Sequence, residues 1–315
     1  MNKILITGAA GFVGSHVVEG ILDHTDWEVT ILDSLTYAGN LKRITDSDHY
    51  DPNRVRFVWH DLRAPLKEIG TFDYVFHLAA ESHVDRSLED AIPFAYNVVG
   101  TTNLLEYLKT HKPKLYIGFN TDEVFGPAPK GVYHSEDDKF RPSNPYAASK
   151  AGQWAMEYAF QHSFGLPIIM THGMNIYAER QHPEKFVPKT IRKIQKGEKM
   201  TLHSVKGQFS ERKWIHAREV ANALIFLTQH GKPGESYNIA GEEKNVKEMA
   251  EIIAEAMGKK LKYEEVDAHS QRPGHDLRYS LDSTKLTKLG WQPNYSLKKS
   301  LTKTVKWTLN NPEWL

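Results

Sequence analysis

Apolar residues recur along the first half of the chain in short runs, at residues 3–7, 28–32, 55–59, 74–78, 115–119 and 168–171. Runs this short, bounded by polar turns, predict strands buried on both faces of a parallel sheet. Between them, residues 12–22, 94–108 and 146–164 carry helix-compatible patterns. This alternation predicts an α/β fold, a doubly wound parallel sheet with right-handed crossovers and helices on both faces. The texture changes after Gly173. Residues 181–188 read as a loop entering a helix, 197–208 as a mixed segment with turns, and 216–229 and 246–257 as amphipathic helices. A turn is expected at 271–276, from its Pro273-Gly274 step, and a strand at 277–281. The expected division is a first domain over 1–172, rejoined by segments near 213–240, and a smaller domain over 173–315.

At 315 residues the chain is long enough to bury a large core. Its 40 basic and 39 acidic residues leave a formal charge of +1, which argues against nucleic acid or a membrane surface as the main partner. The chain has no cysteine, so disulfides, thiolate metal sites and cysteine nucleophiles are excluded. No apolar run approaches the roughly 20 residues that span a bilayer. The first strand begins almost at the N-terminus, with no signal-peptide pattern. A cytoplasmic protein is expected.

Gly8-Ala-Ala-Gly11-Phe-Val-Gly14 follows the first strand and opens the first helix. In that context the glycines allow a tight turn and close approach of backbone N–H groups to a pyrophosphate, the mark of a Rossmann-type dinucleotide site. Asp33 ends the second strand about 20 residues on, where a carboxylate bonds a ribose 2′-hydroxyl. Ser34 and Leu35 supply no cation beside it, which favours NAD over NADP. Asp61 and Leu62 end the third strand, and Leu78, Ala79 and Ala80 end the fourth with small side chains against which a cofactor can lie. Thr121, Asp122 and Glu123 end the fifth, where ligands of open parallel sheets gather. Tyr146 and Lys150 are four apart, on one face of a helix entered by Asn144-Pro145. A phenol helped by an ammonium can take a proton from a sugar hydroxyl. Two further carboxyl groups are one base more than an alcohol oxidation needs. The 16 histidines show no metal-ligand spacing, and no metal is assigned.

On these motifs the chain resembles the extended short-chain dehydrogenases/reductases and, within them, the nucleotide-sugar 4,6-dehydratases. Residues 33–40, 79–87, 120–126, 183–188, 272–276 and 307–314 are similar to segments of that family. The resemblance implies NAD held by Gly8, Gly11, Phe12, Val13, Gly14, Asp33, Ser34, Leu35, Thr36, Asp61, Leu62, Leu78, Ala79, Ala80, Tyr146 and Lys150. It implies a nucleotide-diphosphate sugar, dTDP-glucose or UDP-glucose, held by Ser82, Thr121, Asn175, Lys185, Arg212, Asn238, Arg272 and His275. Tyr146, with Lys150 and Thr121, would oxidise C4, Glu123 would remove the C5 proton, and Asp122 would protonate the departing C6 hydroxyl. Hydride would return to C6. The resemblance also implies a homodimer through helices near 97–108 and 146–164, with Trp154, Tyr158 and Phe160 on the contact face.

The chain departs from the family pattern at several positions. Asn175-Ile176-Tyr177-Ala178 stands where two consecutive asparagines are usual, and Asn120 and Phe125 replace serine and tyrosine. Residues 202–212 are one residue longer than usual and lack an aromatic at Ser204, which leaves dTDP against UDP open. A UDP-amino-sugar 5,6-dehydratase also stays open. An epimerase or decarboxylase needs no acid and base at C6 and C5, so Asp122 and Glu123 argue against one.

Overall fold

The structure is a computed structural model that describes residues 1–267 and 276–315. Seven strands form the main sheet: β1 (Lys3–Thr7), β2 (Glu28–Asp33), β3 (Val55–Trp59), β4 (Tyr74–His77), β5 (Leu115–Thr121), β6 (Ile168–Gly173) and, far along the chain, Ser236–Ile239. Their order is Ser236–Ile239, β6, β5, β4, β1, β2, β3, and every pairing is parallel. The order reverses between β1 and β4, which opens a crevice at the carboxyl ends of those strands. The expected Rossmann-type α/β fold is therefore present.

β1 lies at the middle of the sheet and shows why the strand must be apolar throughout. Ile4 and Ile6 point into the layer that holds helices α1 (Phe12–His24) and Ala217–His230, while Leu5 points into the layer that holds Ile92–Thr110 and Pro145–Phe164. All three side chains are fully buried. Short helices Lys42–Thr45 (α2) and Val84–Glu89 (α3) precede the long helices α4 (Ile92–Thr110) and α5 (Pro145–Phe164). Alternate side chains of one strand thus belong to different cores.

A second core forms beyond β6 from Tyr177, Val187, Ile191, Trp214, Met249, Ile253, Leu301 and Val305. It gathers helices α6 (Phe186–Gln195), α8 (Val246–Ala256) and the closing Leu297–Asn310 around two small sheets, with helix α7 (Ala217–His230) returning to the first core. One sheet joins β7 (Asn175–Tyr177), β10 (Glu211–His216) and β12 (Glu242–Asn245); the other joins β8 (Met200–Val205), β9 (Gln208–Phe209) and β13 (Tyr263–Asp267). Ser236–Ile239 is β11. Asn245 starts α8 with a reciprocal capping box to Glu248.

The structure corrects three expectations. Residues 197–208 contain a regular strand paired with β13, because Met200, Leu202 and Ser204 alternate inward. Residues 277–281 form no strand, only single bridges from Arg278 to Glu211 and from Leu281 to His134. Side chains anchor that segment instead: the Arg278 guanidinium bonds Glu243 and the carbonyls of Pro129 and Val132. Phe160, expected on an outer face of α5, is buried in the core with Leu104 and Leu108. No helix of the described residues is long and apolar enough to cross a membrane.

The two-sided burial of β1 yields a direct expectation. Leu5→Ala and Ile6→Ala should each lower unfolding stability by about 2–5 kcal/mol, read by urea denaturation. A loss well under 1 kcal/mol at either position would mean that its layer can collapse around the gap.

Candidate active site

The crevice at the strand ends is a cavity of about 430 Å³. One end is built from the turn between β1 and α1. Gly8 takes a φ of +70°, and a Cβ there would lie 2.6 Å from the Ala79 backbone. A Cβ on Gly14 would lie 2.3 Å from the Gly8 carbonyl oxygen. Only glycine lets the turn, the helix and the end of β4 pack this closely. Asp33 is held rigidly beside it, Oδ2 accepting from Ala10 N–H at 2.9 Å and Oδ1 from Leu35 N–H at 2.8 Å. Burial pushes its carboxyl up, and the two backbone donors pull it back. The side chain therefore caps its own turn while lining the cavity.

At the other end, Thr121 is the last residue of β5, and Asp122–Phe125 leaves the sheet as a 3₁₀ turn. Asn144 fixes that turn to α5. Its Oδ1 accepts from Ala147 N–H at 2.8 Å as the helix N-cap, and its Nδ2 donates to Glu123 Oε2 at 2.7 Å. Tyr146 and Lys150 follow on the first turns of α5, Tyr146 hydrogen-bonded to Thr121 and Lys150 donating to the Phe119 carbonyl at 2.8 Å. Phe119, Thr121, Tyr146 and Lys150 all line the cavity.

The two carboxyl groups are held differently. Burial, then the neighbouring Glu123 charge, pushes Asp122 up to about 7. Burial also raises Glu123, but the Asn144 amide and then the Arg212 guanidinium pull it back. Burial raises both carboxyls, and the neighbours oppose it more at Glu123, so a proton shared by the pair is held preferentially by Asp122. Asp122 Oδ1 accepts from the Thr121 hydroxyl at 3.1 Å, and Oδ2 has no hydrogen-bond partner. Burial, followed by the Glu123 charge, pushes the Tyr146 phenol up, and Thr121 pulls it back. Lys150 is pushed down to about 8 by burial.

Of the residues singled out from sequence, the cavity wall contains Gly8, Gly11, Phe12, Val13, Gly14, Asp33, Ser34, Thr36, Asp61, Leu62, Leu78, Ala79, Ala80, Ser82, Thr121, Tyr146, Lys150 and Lys185. Leu35, Asp122, Glu123, Asn175, Arg212 and Asn238 lie off that wall. Leu35 is a turn residue with a φ of +52°. The Arg212 guanidinium donates to the carbonyls of Glu211, Asp276 and Leu277 and stacks on Tyr279, 4.6 Å from its ring centre. Asn238 spends its side chain on His172 and on the carbonyls of His134 and Asp282, and is fully buried. No free donor of its amide is left for a sugar. Ser204 bonds Glu265 of β13. Arg272 and His275 lie outside the described residues.

Two participants escaped the sequence reading. Asn144 was legible as a helix-entry signal, but not as the group that holds Glu123. His77 bridges Thr7 and Thr101 through its two ring nitrogens, and burial, then Lys150, pushes it down to about 3, so it faces the cavity as a neutral ring.

Residues 5–304 match the family described as GDP-mannose 4,6 dehydratase. The chain is 37% identical to a dTDP-glucose 4,6-dehydratase of Salmonella typhimurium, over 99% of this chain and 94% of that one. It is 36% identical to a trifunctional UDP-glucose 4,6-dehydratase of Arabidopsis thaliana, over 99% of this chain and 48% of the longer plant protein. Among solved structures, dTDP-glucose 4,6-dehydratase of Streptomyces venezuelae with NAD and TYD bound superposes with a TM-score of 0.91 at 36% identity, covering 99% of this chain and 98% of that one. The chain belongs to the GDP-mannose 4,6 dehydratase family.

The unequal hold on the acidic pair can be read by titration. Infrared or NMR titration of the Asp122 carboxyl should find it near 7, and Glu123→Gln should move it down toward the ordinary carboxylate range by removing the adjacent charge. An Asp122 carboxyl that already titrates in the ordinary range would contradict the division of protons.

Proposed function

We propose that this member of the GDP-mannose 4,6 dehydratase family removes water from a thymidine- or uridine-diphosphate glucose to give the 4-keto-6-deoxy sugar. It is an NAD-dependent hydro-lyase of the nucleotide-sugar 4,6-dehydratase type. The observation that carries the reading is the buried acidic pair, Asp122 bonded to Thr121 and Glu123 to Asn144, at the end of the strand whose Thr121 is hydrogen-bonded to Tyr146.

The residues present fit NAD. Gly8 and Gly14 leave bare backbone where a Cβ would fill the turn, and Asp33 lines the adjoining wall with no cation at Ser34 or Leu35. When bound, NAD supplies the hydride acceptor for C4, the hydride donor for C6, and a positive ring that favours the phenolate of Tyr146.

Tyr146 takes the proton of the C4 hydroxyl, with Thr121 hydrogen-bonded to its oxygen and the Lys150 charge one turn below. The resulting 4-keto group acidifies C5. Glu123, aimed by Asn144, takes that proton, and Asp122 gives its own to the leaving C6 hydroxyl. Ser82 and Lys185 lie on the cavity wall where the sugar and its diphosphate would sit. Arg212 acts through the segment it ties down beside Glu123, and Asn175, Arg272 and His275 complete the proposed grip on the nucleotide. Residues 1–172 with the returning α7 and β11 form the cofactor half, and the rest mainly the nucleotide-sugar half.

The dimer and the compartment belong to the same proposal. α4 and α5 pack against each other and leave Tyr96 and Val99 of the one and Tyr158 and Phe164 of the other exposed, which supports pairing of two copies there. The absence of cysteine fits a cytoplasmic enzyme.

Incubation with dTDP-glucose, UDP-glucose and UDP-N-acetylglucosamine, read by mass spectrometry, tests the reading. Loss of one water from a glucose nucleotide supports it, and no dehydration of any of the three by cofactor-loaded enzyme overturns it. Glu123→Gln should still oxidise C4 and so accumulate reduced nicotinamide. Tyr146→Phe should lose both steps, by about 10²-fold or more. Since Asp122 acts as an acid, the elimination rate should fall as pH rises through about 7. A rate that is flat through that range would remove Asp122 from the role.

A further inference from the structure

Beneath the Tyr146–Lys150 pair lies a third carboxylate, one that the dehydration scheme does not use. Glu157 is fully buried on α5, seven residues after Lys150. Lys150 Nζ donates to Gln153 Oε1, and Gln153 Nε2 donates to Glu157 Oε1 at 3.0 Å. Both ends fix the orientation of that amide. Its carbonyl must face the ammonium, so its NH₂ must face the carboxylate. Tyr116 also donates to Oε1, at 2.9 Å, and Asn120 Nδ2 to Oε2, at 3.0 Å. Three donors and no acceptor make this a seat for an ionised carboxylate.

β5 is shaped around that seat. Positions 116, 118 and 120 face α5 in succession as donor, gap and donor. The gap is Gly118, where a Cβ would lie 2.1 Å from Glu157 Oε1. A carboxylate fully buried in a helix–sheet layer is costly, and an apolar residue of similar size would generally pack there more stably. Fold alone does not account for it.

We propose that Glu157 is a positioning residue: the buried counter-charge of Lys150, which acts through Gln153 to keep the lysine cationic beside Tyr146. This rests on the reading of Tyr146 and Lys150 as the oxidising pair. Burial lowers Lys150 and Glu157 raises it again, while burial raises Glu157 and Gln153, Lys150, Tyr116 and Asn120 pull it back. The other titratable groups around the pair are Tyr116 on β5, His77 on β4, His172 on β6, Tyr146 on α5, and Asp122 and Glu123 at the end of β5. Both histidines are pushed down to about 3 by burial and stay neutral across the working range, so neither can replace Glu157 as counter-charge.

The test is Glu157→Gln, with Gln153→Met as a second variant that breaks the same path and leaves the carboxylate in place. Burial brings Lys150 down to about 8, so the rate of C4 oxidation, the step that does not depend on Asp122, should fall as pH rises through that value. Without the counter-charge, the alkaline limb of the single-turnover rate of C4 oxidation, read as nicotinamide reduction, should move down by about one pH unit, with KM for the sugar nucleotide changed less than about twofold. Thermal melting of the same proteins gives a second readout that needs no turnover. A lysine normally titrates near about 10.4, so between about 8 and that value the unfolded chain holds a proton the folded one has released, and stability rises with pH. In Glu157→Gln the folded lysine releases its proton earlier, so the gap in melting temperature to wild type should be widest near pH 7 and narrow toward about pH 10. A gap constant over that range with an unmoved alkaline limb would overturn the proposal and leave Glu157 a structural residue. If the wild type does not dehydrate a sugar nucleotide, the reading of the site fails, and the melting comparison still decides whether Glu157 and Lys150 are coupled.

Discussion

Asn144 joins the two halves of the site. Its side-chain carbonyl starts α5, and its amide holds Glu123 at the end of β5. Helix entry and base orientation are therefore one event: the turn that sets Tyr146 and Lys150 in place also aims the carboxylate. Everything upstream serves to bring these chain segments together. β5 ends in the crevice because it lies beside β4, next to the reversal in strand order, and α5 lies on the same face because Leu104, Leu108, Phe160 and Met170 share one core with Leu5.

Electrostatics then sorts four ionisable groups in a small volume. Burial disfavours charge on each of them, and the neighbours decide which keeps it. Asp122, beside a charged Glu123 and with one oxygen unpaired, takes the proton. Burial raises Glu123 as well, but an amide donor and the Arg212 field pull it back. Lys150 sits above a separate carboxylate reached through Gln153. Acid, base and oxidising pair are distinguished by what each touches, since residue type alone would give two equal acids.

Much of this was legible in the sequence, and the limits have physical causes. The glycine turn, Asp33 and the strand–helix alternation follow from local backbone and periodicity rules, so the main sheet was readable strand by strand through β6. The second half was harder, because β7, β11 and β12 are strands of three or four residues, which local periodicity barely marks. Tyr146 and Lys150 were visible through i, i+4 spacing, and the acidic pair through its place after an apolar run. Phe160 misled because the residues it packs with, Leu104 and Leu108, are distant in sequence, and distance likewise hid the carbonyls of Asp276 and Leu277 that hold Arg212 and those of His134 and Asp282 that hold Asn238. Glu157 gave no signal. A glutamate on a long helix reads as solvated surface until Gly118, Tyr116 and Asn120 are seen beneath it.

In the proposed reaction one site oxidises C4, eliminates across C5 and C6 and then reduces C6 without releasing the sugar. Glucose nucleotide deuterated at C4, turned over once in ordinary water and analysed by NMR and mass spectrometry, reports whether the same hydride makes the round trip. Deuterium should be retained at C6 of a 4-keto-6-deoxy product. Deuterium found back at C4 of an unchanged or epimerised sugar would contradict it.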